Sequence, residues 1–282
     1  MTFYSPLRYP GGKGKLANYF KELFKKNSLQ GAIYVEPYVG GASIALSLLL
    51  EGYASKVIIN DKDRSIYAFW YTVLNHADEL CRLIEITPVN LNVWEEQKKI
   101  QRKKEDVPLL ELGFSTFFLN RTNRSGIINA GVIGGKKQQG KWTISARYKK
   151  EELIERIKKI SQYKDKIELF NVDAVELIRK LRVRLPKNTL IYLDPPYYNK
   201  GKELYMNYYR DVDHQNIAKE IIKNKKQKWI ITYDDANLIR KLYDNSKKRR
   251  YPLPYSAGKQ KQGNELMIFS DNLKILRLPS VK

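Results

Sequence analysis

One cysteine and two histidines are all that 282 residues offer of the side chains most used to grip metals or attack substrates. With Cys81 alone, an internal disulfide framework and a multi-cysteine metal site are both excluded. His76 and His214 sit in no metal-ligand spacing, so neither a histidine-built metal centre nor histidine-led catalysis is expected. Long apolar runs are also missing. None approaches the roughly 20 residues that span a bilayer, and no signal peptide precedes Tyr4. The expectation is a reducing, cytoplasmic setting with no membrane and no metal. Acidic residues are scarce too: 30 Asp and Glu face 52 Lys and Arg, a formal net charge of +22. Such an excess points to a polyanionic partner, most simply nucleic acid.

What is present is a globular composition, 43% hydrophobic and 12% aromatic, in a chain long enough for one large domain or two. The rest is organised around Leu190-Ile191-Tyr192-Leu193-Asp194-Pro195-Pro196-Tyr197. The apolar stretch from Thr189 to Leu193 has the length and β-branched character of a buried strand. Proline has no N–H for a ladder, so the strand must stop there. Asp194 then lies at the carboxyl lip of a central strand, where ligands bind in open α/β sheets. The Asp194 carboxylate, the Pro195 carbonyl and the Tyr197 ring are two acceptors and one flat apolar face. They suit a planar group with an exocyclic amine, such as adenine or cytosine.

Two glycine turns precede this strand. Tyr9-Pro10-Gly11-Gly12-Lys13 opens a helical stretch from Leu16 to Phe24, with Lys13 as a positive charge at its start. It is not a phosphate-binding P-loop, because no Ser or Thr follows the lysine. Ala32 to Glu36 reads as a strand, followed by Pro37-Tyr38-Val39-Gly40-Gly41 and a helix from Ala42 to Leu50. Strand, glycine turn and helix open a nucleotide-type βαβ unit. The next strand, Lys56 to Asn60, ends in Asp61. An acid about 20 residues after the glycine turn is placed to hold two ribose hydroxyls.

In order along the chain, Tyr9-Pro10-Gly11-Gly12-Lys13, Glu36-Pro37-Tyr38-Val39-Gly40-Gly41, Asn60-Asp61 and Asp194-Pro195-Pro196-Tyr197 resemble the Dam-type (class alpha) S-adenosylmethionine-dependent DNA adenine N6-methyltransferases. The resemblance covers essentially the whole chain. It implies a Rossmann-like methyltransferase sheet, mostly parallel, with an antiparallel C-terminal hairpin. A mainly helical DNA-recognition domain would be inserted at 65–164, leaving 1–64 and 165–282 as the catalytic domain. It implies that Tyr9 and Lys13 flank the cofactor, that Glu36, Pro37, Tyr38 and Gly40 pass beneath its methionine part, and that Asp61 binds the ribose. Asp194 would touch both cofactor and target amine. Asp173, after the strand Ile167 to Val172, is open to two readings: a contact to the cofactor's adenine amine, or a helix cap.

From Ser65 to Lys104 the pattern is helical, with Ile66, Phe69, Trp70, Val73 and Leu74 at helical spacing. Leu109 to Leu119 and Arg147 to Ile160 read as further helices. Between these last two runs a polar, glycine-rich, basic stretch: Asn120, Arg121, Asn123 and Arg124, then Lys136, Lys137 and Lys141. A segment of this kind inside an enzyme is usually functional. Arg and Asn read base edges and lysines meet phosphates, so these seven residues are the expected DNA contacts. Tyr198 to Arg210, rich in tyrosine, is a loop that would order around an extruded nucleotide. Trp229 to Tyr233 is a further strand, and Lys247 to Arg250 a basic cluster for the DNA backbone. Glu265 to Phe269 and Leu273 to Leu278 read as a closing hairpin.

The expected reaction is direct methyl transfer to the amine of a flipped adenine in double-stranded DNA, with Asp194, Pro195, Pro196 and Tyr197 as the catalytic group. Tyr197 would stack on the base. A methyltransferase for adenine in ribosomal RNA and a non-catalytic DNA-binding module are the rival readings. A separate companion restriction endonuclease and a monomeric or weakly dimeric state complete the expectation.

Overall fold

The computed structural model describes residues 3–8, 13–198, 209–254 and 262–278. Tyr9 and most of the tyrosine-rich loop, including Lys200, Lys202, Tyr205 and Tyr208, lie outside the described residues.

Among the described residues seven strands form one sheet: β1 (Ala32–Glu36), β2 (Ala54–Asn60), β3 (Ile167–Phe170), β4 (Thr189–Leu193), β5 (Lys228–Asp234), β6 (Lys247–Pro254) and β7 (Gln262–Phe269). Their spatial order is β3-β2-β1-β4-β5-β7-β6. The first five run parallel, β7 runs antiparallel beside β5, and β6 runs antiparallel beside β7. This is the expected α/β architecture. The chain leaves β1 outward in one direction and β4 outward in the other. A crevice therefore opens where the carboxyl ends of β1 and β4 meet.

β4 is buried along its whole length because both faces of the sheet are covered. Alternation sends Leu190 and Tyr192 to one face and Ile191 and Leu193 to the other. The second face carries α8 (Ala174–Arg184), α9 (Asp211–Lys223) and α10 (Asn237–Leu242). The first carries α1 (Ala17–Lys26) and α2 (Ser43–Leu50). It also carries α3 (Arg64–Asn75), α4 (Ala77–Ile86), α5 (Leu91–Arg102), α6 (Leu109–Thr122) and α7 (Lys150–Ser161), all between β2 and β3. Phe69, Trp70, Phe117 and Phe118 of these helices belong to the same buried cluster as Phe20 and Tyr34. The inserted helices are thus continuous with the core on that face.

α3 and α6 cross closely at Gly113. A Cβ there would lie 2.3 Å from Thr72 Oγ1 and 2.7 Å from the Ala68 carbonyl, so only glycine fits. α6 runs one turn further than the sequence pattern predicts, and everything from Leu112 to Thr122 is buried. Phe114, Phe117, Phe118 and Leu119 pack around it, so Asn120, Arg121 and Thr122 are carried into the interior instead of onto a loop.

The expected closing antiparallel hairpin is present, but one of its strands is not the one expected. The antiparallel partner of β7 is β6, and 273–278 form no strand. Pro252 and Pro254 obscured β6 in the sequence. They are tolerated because β6 is an edge strand, where missing N–H groups cost little. The later segment is fixed by Asn27 at the end of α1. Its side chain accepts from Lys274 N at 2.8 Å and donates to Lys274 O at 2.9 Å. Among the described residues no helix is long and apolar enough to cross a membrane.

Candidate active site

The crevice at the β1/β4 junction is a pocket walled by Lys13, Glu36 to Ile44, Asn60 to Asp63, Ile66, Asn120, Gly126 to Asn129, Tyr192, Asp194, Pro196 and Tyr209. Glu36, Asp61 and Asp194 therefore converge from the ends of three neighbouring strands, as the sequence suggested.

Asp194 is the best-held of the three. Its Oδ1 accepts from Thr232 Oγ1 of β5 at 2.6 Å and pairs with Lys13 Nζ at 3.1 Å. The Thr232 hydroxyl lies 2.9 Å from the Tyr192 hydroxyl. Oδ2 has no hydrogen-bond donor among the described residues, and the side chain keeps 22% exposure toward the pocket. Burial raises the Asp194 pKa, Lys13 and Thr232 oppose the rise, and Glu265 adds to it.

Lys13, in a 3-10 turn (Lys13–Leu16), is buried. It donates to the Tyr197 hydroxyl at 2.7 Å and lies 3.5 Å from Glu265 Oε2. Burial works against the ammonium, but Asp194 and Glu265 outweigh it and hold its pKa above the ordinary lysine value. The Tyr197 hydroxyl donates in turn to Glu265 Oε1, and the Tyr251 hydroxyl donates to Oε2 at 2.6 Å. Tyr197 is only 2% exposed, with the Lys13 ammonium 5.0 Å from its ring centre. The ring expected to stack on a base is closed to solvent and does not wall the pocket. Tyr197 here anchors the Asp194-Pro195-Pro196-Tyr197 turn through its phenol.

Glu36 accepts from Tyr34 OH at 2.8 Å. Burial raises its pKa to about 8, with Tyr34 opposing and the Asp194 charge adding. Asp61 accepts from Gly40 N and Asp63 N, each at 3.0 Å. Burial raises it to about 7, the Asp63 charge adds, and the two amides oppose. Pro37 and Tyr38 lie on the wall, and the Tyr38 hydroxyl is 2.7 Å from that of Tyr209. Asp173 caps α8: Oδ1 accepts from Val175 N at 2.9 Å and Oδ2 pairs with Lys62 at 3.0 Å. It does not wall the pocket.

Three expected DNA contacts, Asn120, Arg121 and Asn123, are buried. Asn120 accepts from Arg8 N at 2.7 Å and donates to Arg8 O at 2.7 Å and Gly126 O at 2.8 Å. Asn123 accepts from Trp94 Nε1 at 2.6 Å and donates to Ile127 O and Ile128 O. Arg121 Nε donates to Pro6 O at 2.6 Å, and burial with nearby Arg156 and Arg8 lowers its pKa to about 9. These bonds fasten the 126–129 wall and the N-terminal strap to α6, and Asn120 also walls the pocket. Gly126 completes this junction: its φ is +76° and a Cβ would meet the Arg8 carbonyl at 2.3 Å. Arg124, Lys136, Lys137 and Lys141 are exposed, Lys136 pairing with Glu95 at 3.1 Å. Among them stands Trp142, 56% exposed, with Lys141 and Arg147 5.7 Å and 5.5 Å from its ring centre. The basic cluster 247–250 forms the edge strand β6, where Arg250 pairs with Asp235 at 2.8 Å.

Sequence reasoning missed Glu265, Thr232, Tyr251 and Trp142. The one signal for Glu265 was an acid opening the apolar run Leu266 to Phe269. Its closeness to Lys13 depends on a pairing between distant strands that spacing does not reveal.

The chain matches the family described as D12 class N6 adenine-specific DNA methyltransferase over residues 9–253. It is 25% identical over 206 residues to the Type II methyltransferase M.MjaIII of Methanocaldococcus jannaschii, covering 68% of each chain. Among solved structures, a SAM-dependent methyltransferase from Agrobacterium tumefaciens aligns with TM-score 0.41 and 8% identity, over 90% of this chain and 60% of that one. The rRNA methyltransferase aviRa from Streptomyces viridochromogenes aligns with TM-score 0.36 and 12% identity, over 93% and 86%.

Proposed function

This chain belongs to the D12 class of N6 adenine-specific DNA methyltransferases, and we propose how its pocket and its exposed basic loop divide that work. The methyl donor is S-adenosylmethionine, which when bound supplies an electrophilic methyl group on a sulfonium centre. The donor set suits it. Glu36 and Asp194 offer carboxylates for a cationic amino-acid end, Asp61 offers one for ribose hydroxyls, and Ile44, Ile66 and Tyr38 offer apolar wall for a base. Lys13 acts from beneath by holding Asp194.

The target amine is a poor nucleophile because its lone pair is delocalised, and inside a duplex it is out of reach, so the base must leave the stack. Asp194 Oδ2 and the Pro195 carbonyl accept the two amine hydrogens. That orients the nitrogen lone pair toward the methyl group and favours a pyramidal nitrogen. Pro196 carries the edge of the base on the pocket wall. Preorganised acceptors and positioning supply most of the acceleration. The observation that carries this reading is the Asp194 carboxylate, fixed through one oxygen by Thr232 and Lys13 and open to the pocket through the other.

Residues 65–164 form the target-recognition region, with Arg124, Lys136, Lys137, Lys141 and Trp142 facing double-stranded DNA. The order of the four sequence blocks supports the Dam-type subclass, and likeness to a Type II methyltransferase supports a restriction-modification role beside a separate endonuclease. The enzyme acts as a monomer or weak dimer on DNA in the cytoplasm. Incubating methylation-free duplex DNA with the protein and S-adenosylmethionine, then mapping modified bases by single-molecule sequencing, tests the site-specific part. Methylation at one recurring sequence supports it, and scattered methylation with no common sequence contradicts it.

A further inference from the structure

One aromatic of the pocket wall comes from a part of the chain that the roles above do not use. Tyr209 lies just before α9, downstream of the Asp194 to Tyr197 turn, and returns to wall the pocket. Its hydroxyl is 2.7 Å from that of Tyr38, and the two rings meet edge to face with centres 6.0 Å apart. Burial raises the Tyr209 pKa, the Tyr38 hydrogen bond opposes the rise, and the charges of Asp173, Asp213 and Asp61 add to it. The phenol therefore stands near the acids that follow β2 and β3. Behind it is His214 of α9, which is fully buried. The imidazole packs at steep angles on three tyrosines, with ring centres 5.4 Å from Tyr209, 5.5 Å from Tyr198 and 5.4 Å from Tyr233. Its Nδ1 is 3.0 Å from the Tyr233 hydroxyl, which ties it to β5. His214 thus braces Tyr209 against the sheet.

Across the sheet from β4 to β3 the pocket passes Asp194, Glu36, Asp61 and Ala174, each at or just past the carboxyl end of its strand. The functional reading above puts the amino-acid end of the cofactor at the first two and its ribose at the third. The purine then belongs past Asp61, on the side where Tyr209 stands. We infer that Tyr209 is a binding residue for the adenine ring of S-adenosylmethionine and that His214 is the positioning residue that holds it there. The inference rests on that functional reading. A purine is flat and weakly hydrated on its faces, so an aromatic wall suits it. The Tyr209 hydroxyl is engaged by Tyr38, which leaves the ring as the part offered to the ligand. The sequence points the tyrosines of 198–210 at an extruded nucleotide; Tyr209 instead serves the adenine of the methyl donor.

The test is calorimetric titration of the full chain with two ligands that need no turnover. S-adenosylhomocysteine carries both ends of the cofactor, and 5′-methylthioadenosine carries the adenosine end without the amino acid. Tyr209→Ala is expected to weaken both by the same factor, about tenfold, as suits the loss of one aromatic contact. Tyr209→Leu keeps an apolar body without a flat face and gives the same equal loss if the alanine variant fails to fold. His214→Ala, which lets Tyr209 move, is expected to weaken both ligands in the same way. His214→Phe, which restores a ring against Tyr209, brings both affinities back to within about threefold of the wild type. A role confined to stability would lower the melting temperature of these variants and leave the two affinities alone. Unchanged affinity for both ligands in the Tyr209 variants overturns the proposal, as does a loss confined to S-adenosylhomocysteine. Unchanged affinity in His214→Ala, or no recovery in His214→Phe, overturns the positioning role. A wild type that binds neither ligand overturns the functional reading and this proposal with it. A wild type that binds both, with Tyr209 variants that bind equally well, overturns this proposal alone.

Discussion

Asp61 Oδ2 accepts the Gly40 amide at 3.0 Å, so the acid ending one strand fixes the glycine turn that follows its neighbour. The same carboxyl is buried and raised to about 7. Cofactor binding through ribose hydroxyls favours the carboxylate form. Affinity for S-adenosylmethionine is therefore expected to weaken as pH falls from about 8 to about 6, across the Asp61 value. Calorimetric titration of the wild type and of Asp61→Asn checks this. The variant binds more weakly and loses the part of that pH dependence centred near 7, keeping the part due to Glu36, which is raised to about 8.

The same shift makes a stability prediction of opposite sense. The unfolded chain releases this proton near the ordinary value of 3.8, whereas the folded, ligand-free protein keeps it to about 7. Between those values the native state binds more protons, so Asp61 makes the fold less stable as pH rises through that window. Urea unfolding at several pH values should show a shallower decline in Asp61→Asn than in the wild type.

Asn120 makes three hydrogen bonds, all to backbone groups. Asn120→Ala leaves buried polar groups unpaired and is expected to cost about 3 kcal/mol of stability. Chemical denaturation reads this directly. Unchanged stability with a selective loss of DNA affinity would return Asn120 to base reading.

Lys136, Lys137 and Lys141 are exposed and suit phosphates. Replacing all three with alanine should weaken DNA binding across sequences and reduce the slope of log K against log salt by roughly 2 to 3, with cofactor affinity unchanged. Trp142 gives a second reading of the same surface, because Trp70, Trp94 and Trp229 are buried and Trp142 is exposed. Duplex DNA should protect the protein's fluorescence from iodide quenching, and Trp142→Phe should abolish that protection.

Much of this was legible in the sequence because it follows from local rules. Pro195 and Pro196 had to end a strand, which put Asp194 at its lip, and the spacing of Asp61 from Gly41 marked it as a second strand-end acid beside the crevice. The illegible parts are those where a residue's environment depends on distant chain. Asn120 to Asn123 look like a polar loop, but the aromatic packing of α6 carries that turn into the core. β6 was hidden by its lysines, arginines and prolines, which suit an edge strand. Glu265 lies in a recognisable strand, yet only the sheet order shows that the strand runs behind Lys13.

The central claim is that the carboxylate of Asp194 presents an adenine amine for methylation. The most direct measurement is the identity of the methylated nucleoside, by mass spectrometry of digested duplex DNA after incubation with S-adenosylmethionine and either the wild type or Asp194→Asn. The account predicts N6-methyladenine alone from the wild type, and at least roughly a 100-fold loss of turnover in the variant at saturating cofactor. N4-methylcytosine as the product, or undiminished N6-methyladenine from Asp194→Asn, would contradict it.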